Sequence, residues 1–144
     1  MSPLPLALTM GEPAGIGGEI ALKAWLSKNR PLPPFFVIDD PARLRQLAMQ
    51  LRLDVPVIEI AVPKAAIGAF ANGLPVLPHP LAERPVPGKP SPANAVAVTG
   101  AIERGPEFDF FGDGQCRLDG VAMAEVGDTR AMRCGVITDI GSIP

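Results

Sequence analysis

The chain has 144 residues, of which 47% are hydrophobic and 19% are charged, and its formal net charge is −2. This length allows one domain, and the composition excludes a disordered polyelectrolyte. The small negative charge argues against a nucleic-acid partner, which needs a basic surface, and no run of about 18 apolar residues is present to span a membrane.

The two cysteines, Cys116 and Cys134, have no histidine near them. They match neither a disulfide framework nor the spacing of a zinc site. The apolar start of the chain carries no basic residues, so no signal peptide is expected. These features indicate reduced thiols and a cytoplasmic protein.

The first predicted unit is a strand, a loop and a helix. Residues 4–9 form a continuous apolar run, typical of a strand covered on both faces. Residues 11–18, called the glycine loop below, contain four glycines. Residues 18–28 place apolar groups on one broad face, which predicts a helix.

The second predicted unit begins with a buried strand over residues 35–38. Asp40 followed by Pro41 is a strong helix start, because aspartate accepts hydrogen bonds from the first amides and proline suits the first helical position. We assign Asp39 to the same capping role. Apolar residues at helical spacing continue the helix: Leu44, Leu47, Ala48 and Leu51.

Residues 55–60 predict a third strand, and residues 64–71 a short alanine-rich helix that stops near Gly73. Residues 75–92 hold seven of the 18 prolines, which excludes a helix or a central strand there. We therefore expect a short strand over 74–77 and then an extended connection.

A last helix is predicted from Ser91 to Arg104, again with a capping residue followed by proline. Alternating strands and helices over residues 1–104 predict an α/β fold. His79, the only histidine, lies between two prolines and is expected to be a solvated loop residue.

The composition of the sequence changes after Arg104. Residues 105–144 hold both cysteines, three of the six phenylalanines and no lysine. Asp109 and Asp113 are four residues apart in a glycine-rich stretch, a spacing that is common by chance and does not indicate a functional pair.

The glycine loop is the most informative local feature. A glycine-rich turn between a buried strand and a helix brings backbone N–H groups close to a ligand. Ile20 occupies the place of the third glycine of a dinucleotide fingerprint, and no Gly-Lys-Ser/Thr follows as in a phosphate-binding loop. Spacing alone therefore favours a tight strand–helix connection.

Residues 8–20, LTMGEPAGIGGEI, closely resemble the opening of the 4-hydroxythreonine-4-phosphate dehydrogenase (PdxA) family, whose usual form is L-T-x-G-D-P-A-G-I-G-P-E. Glu12 stands where the family has aspartate, and Gly18 where it has proline. The similarity continues through residues 35–41 and through 88–95, GKPSPANA, and covers about residues 3–104.

The resemblance implies an α/β fold of the isocitrate/isopropylmalate dehydrogenase type, here a partial three-layer sheet. It also implies NAD-dependent oxidation, with decarboxylation, of 4-phosphohydroxy-threonine in pyridoxal phosphate (pyridoxine) biosynthesis. A divalent metal would polarise the reacting oxygens, and the family enzyme is a cytoplasmic homodimer. The expected partner is a phosphorylated small molecule, with no nucleic acid and no membrane.

In the related fold the glycine loop faces the cleft, so the resemblance assigns Glu12 and Gly15 to cofactor binding. It assigns no catalytic or metal-binding residue in this chain, because the family's histidines and its T-N-P-x-x-K and G-H-T-E segments have no counterpart in residues 105–144. We expect residues 1–104 to be the dehydrogenase segment and 105–144 an unmatched tail, frame-shifted or poorly ordered.

Such a truncated chain is expected to be inactive alone. Two alternatives stay open at this point. One is a non-catalytic small α/β binding module that uses the glycine loop. The other is a dehydrogenase of another four-carbon phosphorylated hydroxy acid.

Overall fold

A computed structural model describes residues 5–27 and 32–104 of the chain. Strands and helices alternate along it, as predicted: β1 (Leu6–Thr9), α1 (Gly17–Leu26), β2 (Phe35–Asp39), α2 (Pro41–Gln50), β3 (Val57–Glu59), α3 (Ala65–Ala69), β4 (Leu74–Pro78) and α4 (Ala95–Arg104). One 3-10 turn, Pro92–Asn94, leads into α4. The predicted tail, residues 105–144, lies outside the described residues, as do both cysteines and the Asp109/Asp113 pair.

The four strands form one parallel sheet in the order β1-β2-β4-β3. Leu6 pairs with Phe35, Val37 with Val76, and Val57 with Leu74. A wholly parallel sheet needs cover on both faces. The helices provide that cover, so the described part has three layers.

Side chains that alternate along each strand fill two separate cores. On β2, Phe35 and Val37 enter the first core, and Phe36 and Ile38 enter the second. The first core also takes side chains from α1 and α2: Ala21, Leu22, Trp25, Leu44 and Ala48. The second takes Ala66 of α3 and Ala101 of α4. The predicted α/β class is therefore confirmed.

Strand β4 corrects one prediction from the sequence. Pro75 lies inside it, although β4 is the third strand of four and so has neighbours on both sides. The Leu74 N–H donates to Pro56 O of the β3 side, so the Pro75 nitrogen points towards β2. The β2–β4 register begins only at Val37 and Val76. No donor is needed at Pro75, and proline is tolerated there.

Strand β1 also departs from its pattern. Its apolar run predicts cover on both faces, yet the side chain of Leu6 is 44% exposed. β3 and α3 are shorter than predicted, at 57–59 and 65–69. None of the helices in the described ranges is long and apolar enough to cross a membrane.

Candidate functional site

The glycine loop follows the carboxyl end of β1 and leads into α1. Gly11 has φ +61°, a conformation that L side chains rarely adopt. A Glu12 Oε1 carboxylate oxygen accepts the Ala14 N–H at 3.0 Å, and the Glu12 carbonyl oxygen accepts the Gly15 N–H at 2.9 Å. Glu12 therefore folds the loop back on itself and occupies two of its amide donors.

Asp39 does not cap α2, contrary to the prediction, whereas Asp40 does. Asp40 Oδ1 accepts the N–H groups of Ala42 and Arg43 at 2.9 and 3.3 Å. Asp39 is completely buried, and one of its carboxylate oxygens accepts the Asp40 N–H at 2.7 Å. The other oxygen lies 2.6 Å from Nη1 of Arg43. Burial raises the pKa of Asp39 to about 6, and the Arg43 guanidinium offsets part of that rise.

Arg43 links this carboxylate to the glycine loop. Its Nη2 donates to the Pro13 carbonyl oxygen at 2.9 Å. The i,i+4 spacing of Asp39 and Arg43 is a signal that sequence analysis missed, because both carboxylates were assigned to the cap. One guanidinium thus joins the end of β2, the side of α2 and the loop.

The proline-rich connection from His79 to Ser91 packs against the same loop. Val86–Lys89 is a type II turn, with Pro87 second, Gly88 third at φ +75°, and a Lys89 N–H to Val86 O bond of 3.0 Å. The Gly88 N–H donates to the Ala14 carbonyl oxygen at 2.8 Å. The expected extended connection is therefore folded over the glycine loop and tied to it.

Asn94 anchors the other end of that connection. Its side chain is buried, and its Nδ2 donates to Glu83 O at 3.0 Å while its Oδ1 accepts the Glu83 N–H at 3.1 Å. A single amide therefore satisfies both backbone groups of one residue in the connection.

His79 is not a solvated loop residue, so that prediction is wrong. The ring is half-buried, and Nε2 lies 2.9 Å from the Ala97 carbonyl oxygen of α4. A Cβ at Gly100 would lie 3.3 Å from the ring, so glycine lets the ring pack on the helix. His79 therefore joins the connection to α4.

These tethers enclose a cleft of about 650 Å³ at the carboxyl end of the sheet. One wall is the glycine loop, one is α2 and one is the connection. The lining residues are Pro13, Ala14, Gly15, Asp40, Ala42, Arg43, Gln46, Leu47, Gln50, Leu81, Ala82, Glu83, Arg84, Pro85, Val86 and Pro87. In parallel α/β sheets ligands bind outside the carboxyl ends of the strands. The cleft is therefore the candidate functional site.

Of the two predicted cofactor residues, Gly15 lines the cleft, whereas Glu12 is exposed and is not part of its lining. Thr9, the last residue of β1, was not among the predicted site residues. Its hydroxyl oxygen is buried and has no hydrogen-bond partner among the described residues.

Within residues 5–27 and 32–104, no group of three or more His, Cys, Asp or Glu side chains is placed to hold a metal ion. The residues described do not fit the divalent metal that the resemblance implies, and we assign no step to it.

No family model matches the chain. The sequence is 50% identical over 101 residues to a 4-hydroxythreonine-4-phosphate dehydrogenase of Methylorubrum populi, a match covering 68% of this chain and 29% of the relative. A protein of the same name from Zymomonas mobilis is 35% identical over 147 residues, covering 94% of this chain and 42% of the relative.

Comparison with solved structures points to the same family. A solved structure titled as a putative 4-hydroxythreonine-4-phosphate dehydrogenase from Salmonella typhimurium superposes with a TM-score of 0.61 at 27% identity, over 79% of this chain and 36% of that chain. This chain matches the N-terminal part of the 4-hydroxythreonine-4-phosphate dehydrogenase family. The likeness to the solved structure also confirms the isocitrate/isopropylmalate dehydrogenase type of fold that the resemblance implies. The chain spans about 29% of the length of the Methylorubrum relative.

Proposed function

We propose that this chain is the N-terminal part of an NAD-dependent dehydrogenase that oxidises and decarboxylates 4-phosphohydroxy-threonine in pyridoxal phosphate synthesis. The observation that carries the proposal is the 50% identity over 101 residues to a relative of that name. The cleft at the carboxyl end of the parallel sheet supports it, because this is where α/β enzymes bind their ligands.

Within the chain, Gly15 and Glu12 have different parts in the proposed cofactor site. Gly15 lines the cleft without a side chain, so its backbone is open to close approach by a ligand. Glu12 occupies the amides of Ala14 and Gly15 and holds the shape of the loop. When bound, NAD accepts the hydride; this chain's residues orient the loop that faces it.

The remaining machinery belongs, in this proposal, to the parts of the family that this chain does not match. The chain spans about 29% of the Methylorubrum relative, and the described residues supply no metal ligand set. Those other parts would bind the phosphorylated substrate, the divalent metal and the second subunit of a cytoplasmic homodimer.

The chain alone is expected to show no turnover. The 144-residue protein, incubated with NAD, 4-phosphohydroxy-threonine and a divalent metal, should produce no reduced nicotinamide above the rate without protein. Measurable turnover would show that the catalytic groups lie within this chain and would overturn the incomplete-enzyme proposal.

A chimera tests the positive claim. Residues 3–104 replace the matching segment of the Methylorubrum populi enzyme, and reduction of NAD is followed with 4-phosphohydroxy-threonine as substrate. An active chimera supports the proposal, whereas a folded, inactive chimera contradicts it. Other four-carbon phosphorylated hydroxy acids, run in the same assay, address the alternative substrate class.

A small binding module remains the second candidate function, because the glycine loop, α2 and the connection together form a cleft of about 650 Å³. In that case the 144-residue chain would bind a ligand in the cleft with no need of other segments. A folded but inactive chimera would favour this candidate.

A further inference from the structure

Arg43 occupies the junction of three elements. Its Nη1 donates to the buried carboxylate of Asp39 at 2.6 Å, and its Nη2 donates to the Pro13 carbonyl oxygen at 2.9 Å. The side chain of Arg43 is only 8% exposed. Most of the guanidinium is thus enclosed between the end of β2 and the glycine loop.

The geometry requires arginine. A guanidinium is a rigid planar fork whose two terminal nitrogens donate in fixed directions, so one side chain can hold two acceptors on different elements. A lysine ammonium is a single point donor on a flexible stem. We expect it to keep the ion pair with Asp39 and to lose the hydrogen bond to the Pro13 carbonyl oxygen.

Gly18 makes room for this arrangement. A Cβ at Gly18 would lie 3.2 Å from both terminal nitrogens of Arg43 and 2.9 Å from Cδ2 of Leu47. The first turn of α1 therefore packs directly on the guanidinium, which leaves Arg43 little freedom to move away from the loop.

We propose that Arg43 is a positioning residue for the ligand site: by holding the Pro13 carbonyl, it sets the conformation of Ala14 and Gly15 at the wall of the cleft. Its charge is paired with Asp39, and each of its terminal nitrogens donates one hydrogen bond within the protein, one to Asp39 and one to Pro13. In this proposal Arg43 therefore acts through the loop that it holds. The link to NAD in this inference rests on the proposed function.

The loop conformation is testable in the 144-residue chain without any ligand. Hydrogen exchange of the backbone amides in residues 11–18 is measured by mass spectrometry for wild type and R43K. We expect exchange in this segment to rise about tenfold in R43K, because the charge-assisted bond to Pro13 is lost, with no comparable change in α2 or β4. Trp25 fluorescence verifies that each variant is folded.

Two further variants keep this result interpretable. R45K is the matched control, because Arg45 lies on the same helix and pairs on the surface with Glu59 at 2.9 Å; it should exchange like wild type. D39N/R43M removes both buried charges together, leaves neither unpaired, and should raise loop exchange as R43K does. Wild-type exchange of residues 11–18 in R43K or in D39N/R43M would overturn the proposal.

A kinetic measurement separates positioning from a merely structural role. In the active chimera, R43K should raise the KM for NAD several-fold with kcat nearly unchanged, whereas loss of folded enzyme lowers the apparent kcat and leaves KM as it was. An unchanged KM would refute the link to NAD. Because the exchange experiment needs no turnover, an inactive chimera counts against the proposed function and leaves the inference about the loop to be judged on exchange.

Discussion

At the scale of single residues, Asp39 combines complete burial with an ion pair. Its carboxylate accepts the Asp40 N–H and pairs with Arg43 at 2.6 Å. Burial disfavours the charged form, and the two hydrogen-bond donors favour it. Because burial outweighs the donors, the pKa of Asp39 is raised from 3.8 to about 6.

This raised pKa predicts a particular dependence of stability on pH. Between pH 3.8 and about 6, Asp39 is protonated to a greater extent in the folded state than in the unfolded state. The contribution of this group to the free energy of unfolding is therefore complete below the unfolded pKa and is lost as pH rises through the folded pKa.

The D39N variant lacks that titration. We expect the free energy of unfolding of wild type, minus that of D39N, to fall as pH is raised from about 4 to about 7. Denaturant unfolding followed by Trp25 fluorescence measures it at each pH. D54N replaces an exposed carboxylate and should track wild type; a wild-type-minus-D39N difference that is flat with pH would contradict the assignment.

Asn94 predicts a second effect at the residue scale. N94A leaves both backbone groups of Glu83 without the partners they have in the folded chain, at a cost of about 1–3 kcal/mol. N72A, at an exposed asparagine, should stay within about 0.5 kcal/mol of wild type. Thermal and denaturant unfolding of the two variants compare them, and equal stabilities would argue against the Asn94 clamp.

At the scale of elements, two glycines respond oppositely to alanine: Gly73, which lies between α3 and β4, and Gly68, which lies inside α3. A Cβ at Gly73 would lie 2.5 Å from the Pro56 carbonyl oxygen, so β3 and β4 would have to separate. A Cβ at Gly68, inside α3, would meet nothing within 4 Å. The first glycine is required by close packing and the second is not.

We therefore expect G73A to lower the free energy of unfolding by about 1–3 kcal/mol. G68A should raise it by up to about 1 kcal/mol, because alanine favours the helix over glycine. Urea unfolding of both variants gives the comparison. If G73A were as stable as G68A, the close approach between β3 and β4 would be wrong.

The secondary structure followed closely from local signals. Asp40 with Pro41, and Ser91 with Pro92, begin helices as predicted, because capping depends on residues adjacent in sequence. The central position of β4, which contains Pro75, could not be predicted in this way. The N–H donor that proline lacks matters only where a neighbouring strand offers an acceptor. That depends on the register with β2, which a single strand's sequence does not contain.

At the scale of the whole molecule, one sheet joins two cores. Trp25 belongs to the core on the side of α1 and α2, and Ile38 to the core on the other side. Both cores are anchored on β2, whose five residues are all buried. Loosening one core should therefore destabilise the other.

The I38V variant tests this coupling. Removing one methyl group from this fully buried side chain costs about 0.5–1.5 kcal/mol. Trp25 fluorescence, on the opposite face, should report the same lowered midpoint as far-ultraviolet circular dichroism. I67V, at an exposed position of α3, is the control and should not move either midpoint. Separate transitions from the two probes would show that the cores unfold independently.

The sequence by itself determined the α/β class, most of the element boundaries and the glycine loop, because apolar periodicity, caps and glycine content act over a few neighbouring residues. It also carried the family resemblance, through the motif over residues 8–20. Only the tertiary structure decided that Asp39 is buried. It also decided the contacts of Arg43, His79 and Asn94 with Pro13, Ala97 and Glu83, since these contacts join separate segments of the chain. Pro13 is 30 residues from Arg43, and Ala97 is 18 from His79. Such pairings depend on how strands and helices are ordered in space. The residues that line the cleft could therefore be identified only from the tertiary structure.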